Sequence, residues 1–565
     1  MPLGEKKVRR LTGILLTGAV LVTRLPFIST MLYEFDSVDF AVATFRFSLQ
    51  QVTPHFPGYI LHILFAKFLL LFLSDVNLAF IWISILLSIG SVLFLWRAGA
   101  VLRGERVGVI TAVLWLFTPL FWFHGEVATA YPYEAFFAAI LLYLGISLLR
   151  DPRRKLFAYL LFITLSLAAG ARQSSILFFA PCIIYIMWKT RQPLRIWITG
   201  SALFLVVTAL WSAILFSYSG GIAGYLAEAN SQTIYRSQSI LFGNSLQGHA
   251  IVIAKVLLYL LIAALPCLLL FGISLLRFWK RSIQFIKEQR RKSSFIFIML
   301  VALPAFLFYI GIYFMKAGYL LNIMPSLTLC AAVLLDQMAI WKAEQIKLAF
   351  GDRLRLSRPL ITESAIKYCV SIVAIDLILF FNSFPWLHRQ HTDNAFTFDS
   401  FNGQESPLDP KLGGGASLLL NKLFSCTSIR EVTETDELHS EVLQKLQRES
   451  GDPKDLVILD TWWHRWGYYY LPQSEIYDIR DFPLSDSLWV GRSQQYVRKA
   501  IAAPIIHLPK QKKILLLLRK DQPSFTKIAG QVHLERIEMP GYLDMYRITD
   551  EHFSFKWKNV TFVKE

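Results

Sequence analysis

Eleven apolar stretches, most of them as long as a membrane-crossing helix, fill the first 386 residues and decide the class of fold before any motif is read. They lie near 11–30, 77–96, 107–123, 133–149, 156–170, 174–188, 196–217, 250–276, 294–315, 319–340 and 368–386. A helix needs about 20 such residues to cross the hydrocarbon core. Two stretches, 156–170 and 174–188, are short and borrow flanking residues. Residues 387–565 read instead as an ordinary soluble domain. The net charge of +17 divides with them, +18 over 1–386 and −1 over 387–565. No basic nucleic-acid-binding domain survives that division. With 55% of residues hydrophobic and 17% charged, disordered and fibrous classes are excluded as well.

The charge in the apolar region is clustered, and the clusters set a topology. Basic groups gather at Lys6–Arg10, Arg97–Arg106, Arg150–Lys155, Lys189–Arg195, Arg277–Lys292 and Lys342–Lys367. A further apolar run, 58–73, could span or lie in the interface. If it spans, the clusters from Arg97 onward fall opposite Lys6–Arg10; if it is interfacial, all six share one face, as the positive-inside rule requires. The expected topology is therefore eleven spans, a cytoplasmic N-terminus and an interfacial helix at 58–73 with Lys67 snorkelling. The first apolar segment exceeds a signal-peptide core and has no small-residue cleavage site, so it reads as an uncleaved anchor. On the outer side this leaves the loop 31–76, a short loop around Glu126, a turn at Arg172, the loop 218–249, the Lys316–Gly318 turn and the domain 387–565.

Four of the five cysteines (Cys182, Cys267, Cys330 and Cys369) fall in spans and Cys426 alone in the outer domain, so no disulfide framework is expected. Ionisable groups near the outer boundary are the informative ones. The first loop carries Glu34, Asp36 and Asp39. The last two are three apart, so on a helix their carboxylates face one way. Such a pair could deprotonate a hydroxyl or hold a divalent cation; the alternative is a solvated loop that caps a helix starting near Ser37. Pro54-His55-Phe56-Pro57-Gly58-Tyr59 then forms a rigid turn, with His55 either structural or a ligand and Tyr59 an interface aromatic. Glu126 stands just beyond the third span. Glu134 opens the fourth and needs a partner or a polar cavity at that depth. Outer cations are few: Arg24, Arg46, Lys67, Arg172, Arg236, Lys255 and Lys316. Arg172, in a tight turn, and Lys316, ahead of Gly318 and Tyr319, are candidates for a phosphate, with lipid headgroup contact as the alternative. Asp336 and Asp376 read as paired structural acids.

These residues resemble the GT-C superfamily of polytopic glycosyltransferases that use polyprenyl-phosphate sugars. The likeness is strongest to the protein O-mannosyltransferase-like branch, with its Asp-Ser-Gly-Glu element followed by His-Pro-Pro-Gly-Tyr-Pro. Here those elements stand as Asp36-Ser-Val-Asp39 and His55-Phe-Pro-Gly-Tyr-Ile60. Pro119 to Trp122 through Glu126, and Tyr131 to Ala135, are similar to that branch's second region. Lys316 to Pro325 looks like its Arg-Tyr-Leu-Leu-Pro element. Asp39 replaces a Glu, Val38 a Gly, and Phe56 and Ile60 two prolines. The resemblance implies transfer of a sugar from a polyprenyl-phosphate donor to an acceptor hydroxyl of a protein, glycan or lipid on the outer face, with inversion. It implies Asp36 as general base with Asp39 beside it; an aspartate is a weak base in water, so the low-dielectric boundary and Asp39 must strengthen it. Arg172 and Lys316 would meet the leaving phosphate, while Glu126 would position hydroxyls. His55, Tyr59, Glu134 and Tyr319 would line the substrate site. No cofactor is required, although some relatives use a divalent cation, for which Asp36 and Asp39 are the ligands to consider. The expected home is a bacterial inner membrane, or the endoplasmic reticulum in a eukaryote, with the C-terminal domain outside or lumenal.

That domain is expected to be a small α/β unit. Ser428–Val432 reads as extended, Thr435–Glu449 as an amphipathic helix ending at Gly451, and Leu456–Asp460, Lys513–Leu518 and Leu543–Ile548 as strands. The aromatic run 460–472 suits sugar stacking, or packing of the domain onto the membrane part. The competing functional class is a transporter or flippase of lipid-linked sugar, which calls for inverted repeats and helices broken at the midplane. A third is a structural protein displaying a binding domain, which leaves Asp36, Glu126 and Arg172 no reason to share a face.

Overall fold

The computed structural model describes residues 3–51, 53–237, 246–312, 316–350, 358–381, 427–460, 463–479, 488–492, 497–501, 505–519, 528–539, 543–557 and 560–565. Through those residues the chain forms two compact units. One takes in Met1–Ile28, Tyr59–Ser383 and Lys422–Glu431; the other takes in Ser29–Gly58, Phe384–Asn421 and Val432–Glu565. Residues 29–58, read from sequence as a loop of the membrane part, thus group by contacts with the C-terminal strands.

Among the described residues, the elements of the first unit are all helices. Seven helices among the described residues are long and apolar enough to cross a membrane, including Val76–Arg103, Pro132–Arg150 and Leu194–Tyr218. Three apolar helices are shorter: Ile60–Leu69, Lys155–Ala171 and Ser175–Lys189. Ile60–Leu69, at 10 residues, is too short to span. Two predicted continuous spans are broken. The 107–123 stretch is a helix Glu105–Phe117 and a separate turn Pro119–His124, because Thr118 precedes a proline and leaves the helical region, with ψ at 117°. The 250–276 stretch bends by 75° between Val256–Ala263 and Leu265–Gln289, where Pro266 lacks the N–H that would continue the ladder. Helices Val76–Arg103 and Glu105–Phe117 approach so closely that a Cβ on Gly108 would lie 2.5 Å from the Trp96 carbonyl. Only small residues permit this contact.

Polar contacts tie the six basic clusters together at one end of this unit. Arg9 pairs with Glu105 at 2.6 Å, and Arg106 with Asp336 at 2.5 Å. Arg150 donates to the Val101 carbonyl, Gln192 to that of Pro152, and Arg281 pairs with Glu344 at 2.9 Å. Asp336 is therefore a paired structural acid. Asp376 is not: it is 3% exposed and has no cation partner among the described residues.

The second unit is built on a seven-stranded sheet. Its strands are β1 (Leu456–Asp460), β2 (Glu475–Asp478), β3 (Leu488–Arg492), β4 (Val497–Ile501), β6 (Lys513–Arg519), β7 (Leu534–Ile537) and β8 (Leu543–Ile548), ordered β4-β3-β2-β1-β6-β8-β7. Strands β2, β1 and β6 run parallel, and β3 and β8 flank them antiparallel. Every residue of β1 is buried, as a central parallel strand covered on both faces must be. A second sheet, β5 (Ile505–His507), β10 (Val560–Lys564) and β9 (Phe553–Trp557), adds Phe555, Trp557 and Phe562 to the core shared with Leu459, Tyr477 and Leu516. Ser428–Val432 is not extended. Ser428 caps a helix, Ile429–Ser450, its hydroxyl accepting from the Arg430 N–H at 3.1 Å. That helix buries Val432, His439, Val442 and Leu446 at helical spacing and stops at Gly451, with φ of +68°.

Candidate active site

The predicted site residues fall into two sets, one in each unit. In the second unit, the segment 29–58 carries Asp36, Asp39 and His55. Residues Phe35–Ala43 form a helix opened by a reciprocal cap between Glu34 and Ser37, so the helix starts two residues earlier than Ser37. Asp36 and Asp39 lie one turn apart on it. The ligand atoms of Asp36, Asp39 and His55 all lie within 4.8 Å of one another. His55 Nδ1 stands 3.6 Å from Asp36 Oδ1, and the His55 ring lies against Phe40. Asp36 is 25% exposed and Asp39 only 3%. An exposed and a buried carboxylate on one face can divide two roles, one meeting a substrate and the other orienting the pair.

The buried member has a charged partner that the sequence reading did not select. Arg465 Nη1 donates to Asp39 Oδ2, and the Arg465 guanidinium lies 4.9 Å over the Phe35 ring. Arg465 sits in a short helix, His464–Tyr470, that follows β1, at the carboxyl end of a parallel strand where α/β sheets place functional groups. The same helix holds the start of the segment: Trp466 Nε1 donates to the Leu32 carbonyl at 2.6 Å, and Tyr470 Oη accepts from the Leu32 N–H at 3.0 Å. Trp463 and Trp466 are 0% and 1% exposed, so neither offers a stacking face to a sugar. Asp36, Asp39 and His55 could together reach one metal ion, their oxygen and imidazole donors suiting a divalent cation. The donor types match, but such an ion would share Asp39 with the Arg465 guanidinium already bonded to it, so the site's charge does not call for a second cation.

In the first unit, Tyr59, Glu126, Glu134, Arg172, Lys316 and Tyr319 gather at the end away from the basic clusters. Glu134 lies in the first turn of Pro132–Arg150 and is 1% exposed on its side chain. Its partner is Arg172, at 3.1 Å, and Asn322 Nδ2 donates to its other oxygen at 2.6 Å. Arg172 stacks on Tyr319 at 4.1 Å, with Tyr59 and Tyr309 within electrostatic reach. Tyr319 also meets Tyr131 and Tyr309, and Tyr131 meets His124, which lies within electrostatic reach of Lys316. Gly318 is needed there, since a Cβ would lie 2.4 Å from the Tyr131 ring. Glu126 is fully buried beside Arg24 and Trp122. Arg24, Asn322 and Tyr309 were not selected from sequence; Asn322 lies inside the Lys316–Pro325 element, which was its one signal. Lys67 stands over the Tyr218 ring at 5.2 Å, while Cys426 and the side chains of Arg236 and Lys255 lie outside the described residues.

No family model matches the sequence, and no curated protein matches it. Solved structures do. The crystal structure of ArnT from Cupriavidus metallidurans bound to undecaprenyl phosphate matches over 98% of this chain and 99% of that one, with TM-score 0.53 and 11% identity. ArnT in the apo state matches over 94% and 97%, with TM-score 0.51 and 11% identity. The archaeal oligosaccharyltransferase AglB from Archaeoglobus fulgidus, in complex with an inhibitory peptide and a dolichol-phosphate, reaches a TM-score of only 0.40 at 10% identity, too low to carry an argument. These likenesses do not single out the protein O-mannosyltransferase-like branch. At 11% identity the similarity to ArnT is one of fold, and the chain is accordingly a polytopic helical membrane protein with a C-terminal α/β region.

Proposed function

We propose that the chain is a membrane glycosyltransferase that moves a sugar from a polyprenyl-phosphate donor to an acceptor hydroxyl, with inversion. The observation that carries this reading is the full-length likeness to ArnT, solved with undecaprenyl phosphate bound, in a chain that also carries two close carboxylates on one helix. In the reaction the acceptor oxygen attacks the anomeric carbon as the bond from that carbon to the phosphate oxygen breaks. The acceptor proton goes to Asp36, the more exposed carboxylate, and the electron pair goes to the lipid phosphate. Single displacement inverts the anomeric centre.

The developing phosphate charge calls for fixed cations. Arg172 is held in orientation by Glu134 and the Tyr319 face, and Lys316 is the second candidate. Tyr59, Glu126, Tyr319 and His55 are proposed to contact donor or acceptor. A general base contributes about 10²–10⁴-fold. Asp36→Asn should therefore lower sugar transfer from a radiolabelled polyprenyl-phosphate sugar by at least about 100-fold, at unchanged membrane level. Wild-type turnover in Asp36→Asn would sink the assignment. The transporter reading gains one feature, the 75° bend at Ala264. The bend is formed by Ala263, Ala264, Leu265 and Pro266, all apolar, and so supplies no side chain to hold a sugar or an ion.

A further inference from the structure

We infer that Arg465 is the resident cation of the Asp36–Asp39 pair, a positioning residue delivered by the C-terminal α/β fold into the place a divalent ion would otherwise take. This rests on the proposed role of Asp36 and goes beyond it by naming what holds the pair. Two carboxylates whose oxygens lie within 4.8 Å repel each other, and the 3% exposed Asp39 cannot keep its charge without a partner. Arg465, itself 15% exposed, supplies that partner from 426 residues away in sequence.

The surroundings fix this guanidinium. Phe35, the residue before Asp36, gives it an aromatic face at 4.9 Å. Its helix is bonded on both sides of Leu32 by Trp466 and Tyr470. The carboxylate of Asp436, on Ile429–Ser450, accepts from Ser29 Oγ, the Thr30 N–H, Thr30 Oγ1 and the Met31 N–H at 2.6–3.1 Å. The helix His464–Tyr470 and the segment 29–43 are thus held together by side-chain bonds at Arg465, Trp466 and Tyr470. A guanidinium is always charged and directional. It neutralises Asp39 and so holds the turn of helix that carries Asp36. Trp466 and Tyr470 of the aromatic run are the mount of that cation.

The test uses the purified full-length protein. Wild type should bind no Mn²⁺ by electron paramagnetic resonance titration and should turn over equally with and without EDTA. Arg465→Ala should lower kcat by about 100-fold while leaving KM for the donor near wild type, as expected of a residue that acts through Asp39. Added guanidinium should restore part of that loss, and Arg465→Lys should fall between. Arg465→Ala should also gain a Mn²⁺ site that disappears in Arg465→Ala/Asp36→Asn. A purely structural arginine would show neither guanidinium rescue nor a new Mn²⁺ site. Stoichiometric Mn²⁺ binding by wild type, or full kcat in Arg465→Ala, overturns the inference. If Arg465→Ala does not accumulate, Arg465→Lys and the wild-type Mn²⁺ titration decide it. A wild type without sugar transfer would refute the proposed reaction, while the Mn²⁺ titrations would still judge Arg465.

Discussion

Replacing Glu134 by Ala should destabilise the first unit by about 4 kcal/mol, and the figure follows from three features of its surroundings. At 3.1 Å from Arg172, an effective dielectric of ~20 gives a gross attraction of about 5 kcal/mol. The Glu134 side chain is 1% exposed and Arg172 14%, so water replaces little of what is lost; removing one member of a buried pair costs about 3–5 kcal/mol. Asn322 also loses its acceptor, at about 1–3 kcal/mol, only partly additive. The double variant Glu134→Ala/Arg172→Ala leaves no unpaired charge and should be less destabilised than the sum of the singles by about 2 kcal/mol. The assay is reversible unfolding in mixed micelles for wild type, both singles and the double. A Glu134→Ala protein within about 1 kcal/mol of wild type, or strict additivity in the cycle, would refute the claim that this pair is buried and coupled.

Three further outcomes are expected. His439 is fully buried with its pKa pushed down to about 3 by burial, and its Nδ1 accepts from Trp463 Nε1 at 3.0 Å, so protonation there would oppose the indole N–H. The unfolded chain binds the proton from about pH 6.5 downward; stability is therefore complete above that pH and falls below it, by about 2 kcal/mol at pH 5. Tryptophan fluorescence of unfolding should show that loss in wild type, and His439→Gln should flatten it. Asp436→Ala removes the acceptor of four hydrogen bonds from residues 29–31 and should cost about 2 kcal/mol, with faster amide exchange across 29–34 seen by mass spectrometry. Gly318→Ala forces a Cβ to within 2.4 Å of the Tyr131 ring; overpacking of about 1–3 kcal/mol should lower the thermal midpoint and raise KM for the donor.

The class of fold was legible because apolar length and charge clusters report directly on the bilayer. The spacing of Asp36 and Asp39 likewise named a shared helix face. What stayed hidden depended on contacts across the chain. Arg465 lies 426 residues from Asp39, and nothing local distinguishes it from any surface arginine. For Trp463 and Trp466 both sugar stacking and packing stayed open, because composition carries no burial. The breaks at Thr118–Pro119 and Ala264–Pro266 escaped a hydropathy reading, since a proline ends a helix without changing apolar content. Ser428–Val432 read as extended, yet the Ser428 cap and the burial of Val432 make it the start of a helix.

The central claim is chemical transfer, and the fate of the donor lipid tests it most directly. Purified protein in proteoliposomes, supplied with a polyprenyl-phosphate sugar labelled in both lipid and sugar, should generate free polyprenyl phosphate in step with glycosylated acceptor of inverted anomeric configuration. Movement of the intact lipid-linked sugar across the bilayer, with no free polyprenyl phosphate formed, would contradict it.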